Sequence, residues 1–316
     1  MGLDIVTMGL TVCDILVKPV TPELFERDST PVKMAFKPGG DACNVALNAA
    51  ALGMRTGLVT VLGGDANGAL LTRQLLEQGV DVSGVKTSSR FPTSTSIVLV
   101  EPSGERHFLA DTTIFQELEP VQVTRRLLEG AKVLSLNSCY RLPQLDDGGV
   151  VPVFQLAHEL GVLTAMDTTW NRQGDWLERI EPALYHTDLF LPSYGEAVQI
   201  SGEKDVRAMR RVFQRYGLRI LGVKLGSEGA YVTDFQNEYV VRPFPVERVE
   251  DTVGAGDSYV AGFLAAQAKG MDLYESALFA SAVASFTVRV KGAVGGVPPL
   301  EEVEAFIREN RRLIEK

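Results

Sequence analysis

The chain has 316 residues, 45% hydrophobic and 22% charged, enough to bury a large core, which excludes a disordered tail, a collagen-like fibre and a disulfide-stapled mini-domain. Its net charge of −9 argues against a nucleic-acid coat or an anionic-membrane binder, since both need clustered positive charge, so neither partner is expected. Three scattered cysteines (Cys13, Cys43, Cys139) without CxxC, no basic leader and no bilayer-length apolar run point to a reducing cytoplasm.

Along the chain, Asp4–Met8 reads as a first strand. Two extended stretches follow, Thr11–Val17 and Val32–Phe36. Asp41–Leu52 is an alanine-rich helix with Gly53 as its stop, Thr56–Leu62 a strand, and Gly68–Gln78 a helix closed by Gly79. Thr95–Glu101 and Arg106–Asp111 flank Pro102-Ser103-Gly104-Glu105 and form a hairpin. Strands then alternate with helices. The strands are Lys132–Leu136, Val162–Met166, Asp188–Leu191 and Arg219–Lys224; the helices are Val121–Leu128, Val151–Leu160, Asp175–Leu184 and Val206–Tyr216. Such alternation predicts a parallel sheet with helices on both faces. A late hairpin, Gly229–Thr233 with Glu238–Val241, precedes three helices, Gly254–Lys269, Leu273–Val290 and Pro299–Ile314. The four early extended segments, about 11–17, 32–36, 95–101 and 106–111, fall outside this rhythm. They predict a small second sheet, a lid over the carboxyl ends of the main strands, where open α/β sheets bind ligands.

The motifs narrow the chemistry. No GxGxxG follows the first strand, Gly63–Gly68 lacks the Lys-Ser/Thr of a P-loop, and His107, His158 and His186 show no metal-ligand spacing. Asp251-Thr252-Val253-Gly254-Ala255-Gly256-Asp257-Ser258 is the most informative segment. Its Gly-Ala-Gly opens a small-residue helix whose free first-turn N–H groups can face an anion. An acid there complements the helix dipole, but beside an anion site Asp257 also suits a base that deprotonates a hydroxyl attacking a phosphate. Gly39-Gly40-Asp41-Ala42-Cys43-Asn44-Val45-Ala46 is a capped helix start. Equally, it allows close backbone approach to a polyhydroxyl ligand, with Asp41 and Asn44 on one face.

Together the two segments resemble the signatures of the ribokinase-like (phosphofructokinase B type) carbohydrate kinases, GG-x-x-x-N-x-A and DT-x-GAGD-x-x-x-x-G-F, over nearly the whole chain, from Asp4 to about Phe306. The resemblance implies one kinase domain, 1–316, a three-layer α/β/α fold with a mainly parallel central sheet and the small β-sheet lid. It implies ATP and Mg²⁺ and transfer of the γ-phosphoryl group to a hydroxyl, primary by expectation, of a sugar or sugar derivative. At matching positions Asp257 is the base, and the amides of Gly254, Ala255 and Gly256 form the anion hole. Asp14, Gly39, Gly40, Asp41, Asn44, Asp65, Arg106 and Asp167 fall to the acceptor; Asp65 also reads as a helix N-cap. Lys224, Gly226, Ser227, Gly229, Thr252 and Gly292 fall to the nucleotide. Glu196 organises Mg²⁺ through water, and Asp251 marks a possible K⁺ site.

Three departures leave the acceptor open: Ser193 stands where the family often has Asn, Arg172 is displaced by one position, and Asp41 replaces the Lys of ribokinase. A nucleoside kinase on the same fold and a non-catalytic sugar or nucleotide sensor are the alternatives. Lys291 offers a positive charge in place of K⁺, so a strict K⁺ requirement is not expected. Apolar lid residues Val12, Ile15, Val98 and Phe108 predict a lid-to-lid homodimer.

Overall fold

The computed structural model describes residues 2–26 and 30–314. The chain order is β1 (Ile5–Met8), β2 (Val12–Lys18), β3 (Lys33–Gly39), α1 (Asp41–Ala51), β4 (Thr56–Gly63), α2 (Ala66–Glu77), β5 (Asp81–Ser88), β6 (Thr95–Val100) and β7 (Arg106–Asp111). Then come α3 (Arg125–Leu128), β8 (Val133–Cys139), α4 (Val151–Glu159), β9 (Leu163–Thr168), α5 (Trp176–Leu184), β10 (Leu189–Phe190), α6 (Tyr194–Ser201), α7 (Val206–Phe213) and β11 (Ile220–Lys224). β12 (Ala230–Thr233), β13 (Glu238–Val241), α8 (Ala255–Ala268), α9 (Leu273–Thr287) and α10 (Leu300–Asn310) complete it.

Two sheets result among the described residues. The main sheet has nine strands in the order β13-β12-β11-β10-β9-β8-β1-β4-β5, parallel from β11 to β5, with the late hairpin antiparallel at one edge. Alternate strand residues feed two cores, as a period of two requires. Val6, Leu134, Met166 and Phe190 pack under α4, α5, α6 and α7. Ile5, Val133, Ala165 and Leu189 pack under α1, α8, α9 and α10. The α8–α9 crossing is close because Gly262 has no Cβ; one built there would lie 2.9 Å from Ala280 Cα and 3.0 Å from Val283.

The lid is a four-stranded sheet, β3-β2-β6-β7. Asp14, Leu16 and Lys18 of β2 register with Lys37, Ala35 and Lys33 of β3 on one face, continued by Ser96, Val98 and Val100 of β6. Ala110, Phe108 and Arg106 of β7 complete that face. It is the inner face, because Lys37 and Arg106 reach the body from it. The outer face carries exposed Met34, Phe36, Ile97 and Leu109.

The sequence reading needs correction at several elements. Val121–Leu128 is a 3₁₀ turn, Pro120–Gln122, followed by one turn of helix that begins after Thr124, whose hydroxyl caps Leu127 N–H. β5 and α6 were not anticipated. α9 ends at Thr287, and α10 ends at Asn310 before a 3₁₀ turn. Of the apolar lid residues expected at an outer surface, Val12 and Val98 are buried and Phe108 lies on the inner face; only Ile15 faces outward. No helix among the described residues is long and apolar enough to cross a membrane.

Candidate active site

The two motif segments, more than 200 residues apart in sequence, meet at the carboxyl ends of the central strands. Asn44 Nδ2 donates to Asp257 Oδ2 at 2.8 Å, joining the first turn of α1 to that of α8. One turn deeper Asn48 Nδ2 donates to Ser258 Oγ (3.0 Å) and Ala293 O (3.3 Å), and Thr287 Oγ1 donates to Ser258 Oγ (2.7 Å). These bonds tie α1, α8, α9 and the segment after α9 together.

At the start of α8, Gly254 adopts φ +75°, and a Cβ there would lie 2.3 Å from Ala293 Cβ, so the position requires glycine twice over. The N–H groups of Gly254, Gly256 and Asp257 have no backbone acceptor among the described residues, whereas Ala255 N–H reaches Thr252 O at 3.3 Å. The amides open to an anion therefore include that of Asp257 itself, and Ala255 is the weakest of the three expected. On the facing helix start, Gly40 has φ +90° and packs on Leu10 O. A Cβ at Gly39 would lie 2.1 Å from Asp14 Oδ2, so Gly39 makes room for that carboxylate.

A cleft of about 700 Å³ opens beside these turns, lined among others by Asp41, Asp167, Glu196, Lys224, Asp257 and Thr252. Of the residues expected at the nucleotide, Lys224, Gly226, Ser227, Gly229 and Thr252 line this cleft and Gly292 does not; Val249, Ser285 and Val288 line it with them. Four carboxylates gather round one ammonium. Lys224 Nζ lies 2.6 Å from Asp167 Oδ2, and a Cβ at Gly256 would be 3.7 Å from that nitrogen. Burial, with the Asp41 charge, raises Asp257 well above the usual carboxylate range against the Asn44 hydrogen bond. Burial likewise raises Asp41, opposed by Ser138 and Lys224. It lifts Asp167 to about 7 despite Lys224. Burial works to lower the Lys224 ammonium, but the Asp167 and Glu196 charges outweigh it and hold it up. Oxygen-rich, acidic surroundings of this kind suit a nucleotide that arrives with a hard divalent cation.

Several expected residues are engaged elsewhere. The two oxygens of Asp65 accept from Gly68 N–H, Thr93 N–H and Thr93 Oγ1 at 2.7–2.8 Å, which makes it the cap of α2 and an anchor for the segment entering β6. Asp167 pairs with Lys224 and lines the same cleft as Asp41 and Asp257. Glu196 Oε2 accepts Ser193 N–H and Thr168 Oγ1, a capping box for α6, and the side chain lines the cleft. Arg106 pairs with Asp251. Gly292 donates its N–H to Asp251 and adopts φ +99°. Asp14 on the inner lid face has its carboxyl pushed up to about 6 by burial, with Ser96 and Arg106 opposing.

Sequence reasoning missed Asn137 at the end of β8, which is fully buried with both amide atoms unpartnered, and Lys37 of the lid. Asn44 Oδ1 and Thr11 Oγ1 are also buried without partners. A polar Ser135-Leu136-Asn137-Ser138 at the end of an otherwise apolar strand was the available signal.

Comparison with known proteins agrees with this geometry. Residues 3–299 match the model of the pfkB family carbohydrate kinases. An ATP-dependent ribose-1-phosphate kinase of Halopiger xanaduensis is 30% identical over 281 residues, 86% of either chain. A fructokinase of Xylella fastidiosa with bound ATP superposes with a TM-score of 0.85 at 22% identity, covering 98% of this chain and 99% of that one. An Arabidopsis thaliana ribokinase complexed with ribose and ATP gives 0.83 at 23%, covering 98% and 99%. The match spans nearly the full length and takes in both the glycine-rich turns and the lid, and the chain belongs to the pfkB family of carbohydrate kinases: it is an ATP-dependent sugar kinase, a phosphotransferase with an alcohol group as acceptor.

Proposed function

We propose that this chain transfers the γ-phosphoryl group of ATP to a primary hydroxyl of a sugar or sugar derivative, with Asp257 as general base. The observation that supports this most is the pairing of a buried carboxylate of raised proton affinity with unoccupied first-turn amides in one helix turn. A base must hold a proton well at the moment of transfer, and burial supplies that affinity. The acceptor lies between Asp14, Gly39, Gly40 and Asn44, with Asn137 and Asn44 Oδ1 offering unpartnered polar atoms to hydroxyl groups. The Asn44 amide orients the Asp257 carboxylate toward it. Glu196 would hold a Mg²⁺ that, when bound, supplies neutralising charge to the phosphates, and the Gly254 and Gly256 amides meet the charge that develops on the transferred group. Lys224 stands beside the same turn, with Gly226, Ser227 and Gly229 on the nucleotide wall.

A phosphorylated acceptor is the second reading. Lys18 and Lys33 face each other directly across β2 and β3, an arrangement that is unfavourable without a counter-anion. They line, with Arg106 and Lys291, a cavity of about 980 Å³ under the lid. The related ribose-1-phosphate kinase acts on such a substrate. For assembly we propose a homodimer through the outer lid face, on the strength of the exposed Met34, Phe36, Ile97 and Leu109.

The test is an ADP-release screen of free sugars, sugar acids, sugar phosphates and nucleosides on wild type and Asp257→Asn. A sugar or its phosphate should be turned over, and the variant should lose at least ~10²-fold in kcat with little change in ATP affinity. A near-wild-type kcat in a less stable variant would assign Asp257 to the helix dipole instead.

A further inference from the structure

Asp251 stands at the root of the phosphate-binding turn, where the family resemblance suggested a K⁺ ligand. Its surroundings do not fit an ion. Arg106 of lid strand β7 places Nη2 2.5 Å from Asp251 Oδ2, and the two side chains are 18% and 4% exposed. The same oxygen accepts Gly292 N–H at 2.7 Å, and Oδ1 accepts Val253 N–H at 3.1 Å. The Gly292 N–H brings the segment after α9 against this carboxylate, and with it the backbone carbonyls of residues 290–292. That of Lys291 already accepts from Lys37 Nζ of lid strand β3 at 2.8 Å. Gly292 permits this approach, because a Cβ there would be 3.0 Å from the ammonium nitrogen. Lys291, whose charge looked like the substitute for an ion, is exposed and offers only its carbonyl.

A buried carboxylate before α8 and a carbonyl of the segment after α9 that packs on it thus each receive a cationic side chain, and both cations come from the lid. We propose that Arg106 and Lys37 take the place of a monovalent cation, so that the phosphate-binding turn is set by docking of the lid and turnover needs no K⁺. The inference rests on reading Gly254–Asp257 as the phosphate site. Arg106 is a positioning residue: it acts through Asp251, whose remaining hydrogen bonds hold Val253, the residue before Gly254, and Gly292, beside Ala293 on which Gly254 packs. Its planar guanidinium also fixes direction as well as charge, which a spherical ion does not.

Turnover of wild type in K⁺, Na⁺ and tetramethylammonium at equal ionic strength should agree within about two-fold. Arg106→Ala should lower kcat about 10-fold and become responsive to added K⁺ or guanidinium, but not to tetramethylammonium. Amide hydrogen exchange at residues 251–256 and 290–293 should quicken in the variant and slow again with guanidinium; Arg106→Lys should retain partial protection. Strong K⁺ activation of wild type overturns the inference, as does an Arg106→Ala protein with unaltered kcat and exchange. Asp257→Asn assayed alongside separates the two ideas. If it is inactive while wild type needs K⁺, the phosphate site stands and the lid cations fall. If it remains active, the site reading falls whatever the ions do.

Discussion

The two walls of the cleft are held in different ways. The body wall is built by close packing: Gly254 against Ala293, Gly262 against Ala280 and Val283, and the Asn48–Ser258–Thr287 hydrogen bonds. Beyond the root of β2, where Val12 and Cys13 enter the body's cores, the lid meets it through cations on oxygens, Arg106 on Asp251 and Lys37 on the Lys291 carbonyl, and leaves much apolar surface in water. Packing at van der Waals contact does not yield to salt or pH, whereas ion pairs yield to both. A kinase needs one wall to fix the reacting atoms and another that opens for substrate. The contrast in cohesion matches that division of work.

The contrast can be broken most severely at its electrostatic centre. Lys224→Met leaves Asp167 buried without its partner, and breaking a buried pair costs about 3–5 kcal/mol. Denaturant unfolding should show that loss above pH 8 and a smaller one at pH 6, where Asp167 takes a proton. Equal losses at both pH values would mean that the pair is not what Lys224 contributes. Next comes the body wall. Gly262→Leu forces side chain into the α8–α9 contact and should cost ~1–3 kcal/mol, insensitive to ionic strength.

A subtler test concerns proton linkage. Asp14 and Asp146 are raised to about 6 and Asp167 to about 7, chiefly by burial. Between about pH 4 and 7 the folded protein therefore holds protons that the unfolded chain has released, and these groups make stability fall as pH rises through that window. Asp14→Asn should remove the part of the fall between pH 4 and 6, read as a shallower change of Tm with pH; an unchanged slope would count against the burial of Asp14. The smallest effect on the monomer belongs to the outer lid face. Met34→Ser with Phe36→Ser should change unfolding by no more than ~0.5 kcal/mol yet shift sedimentation from dimer to monomer. A wild type that sediments only as monomer at micromolar concentration removes the dimer.

Much of this was legible in sequence, for identifiable reasons. The parallel strands are short apolar runs bounded by glycines, and the lid hairpin is marked by Pro102 and Gly104. β5 was hidden because Asp81-Val82-Ser83-Gly84 is polar and glycine-bearing, as an edge strand tolerates. α6 was hidden inside the stretch read for its metal-organising Glu196, whose carboxylate turns out to cap that helix. Glycine turns signalled where backbone approaches backbone, but not what a side chain reaches across space. Arg106 and Asp251 are 145 residues apart, and nothing local to either announces the other. Asp65 shows the reverse: its cap was visible locally, and Gly68 N–H donates to it.

The hydrogen bond from Asn44 to Asp257 has a consequence for fidelity. It joins the first turn of α1 to the first turn of α8 by groups of this chain alone, so one side-chain bond fixes the register of the two helix starts. With Asp257 and the amides beside it in the roles proposed above, a water molecule that reached the same spot would find base and anion hole assembled, so the error to which this architecture would be prone is wasted ATP. What guards against it is the seal made by the lid, and the rate of idle hydrolysis becomes a direct gauge of how tightly that seal fits.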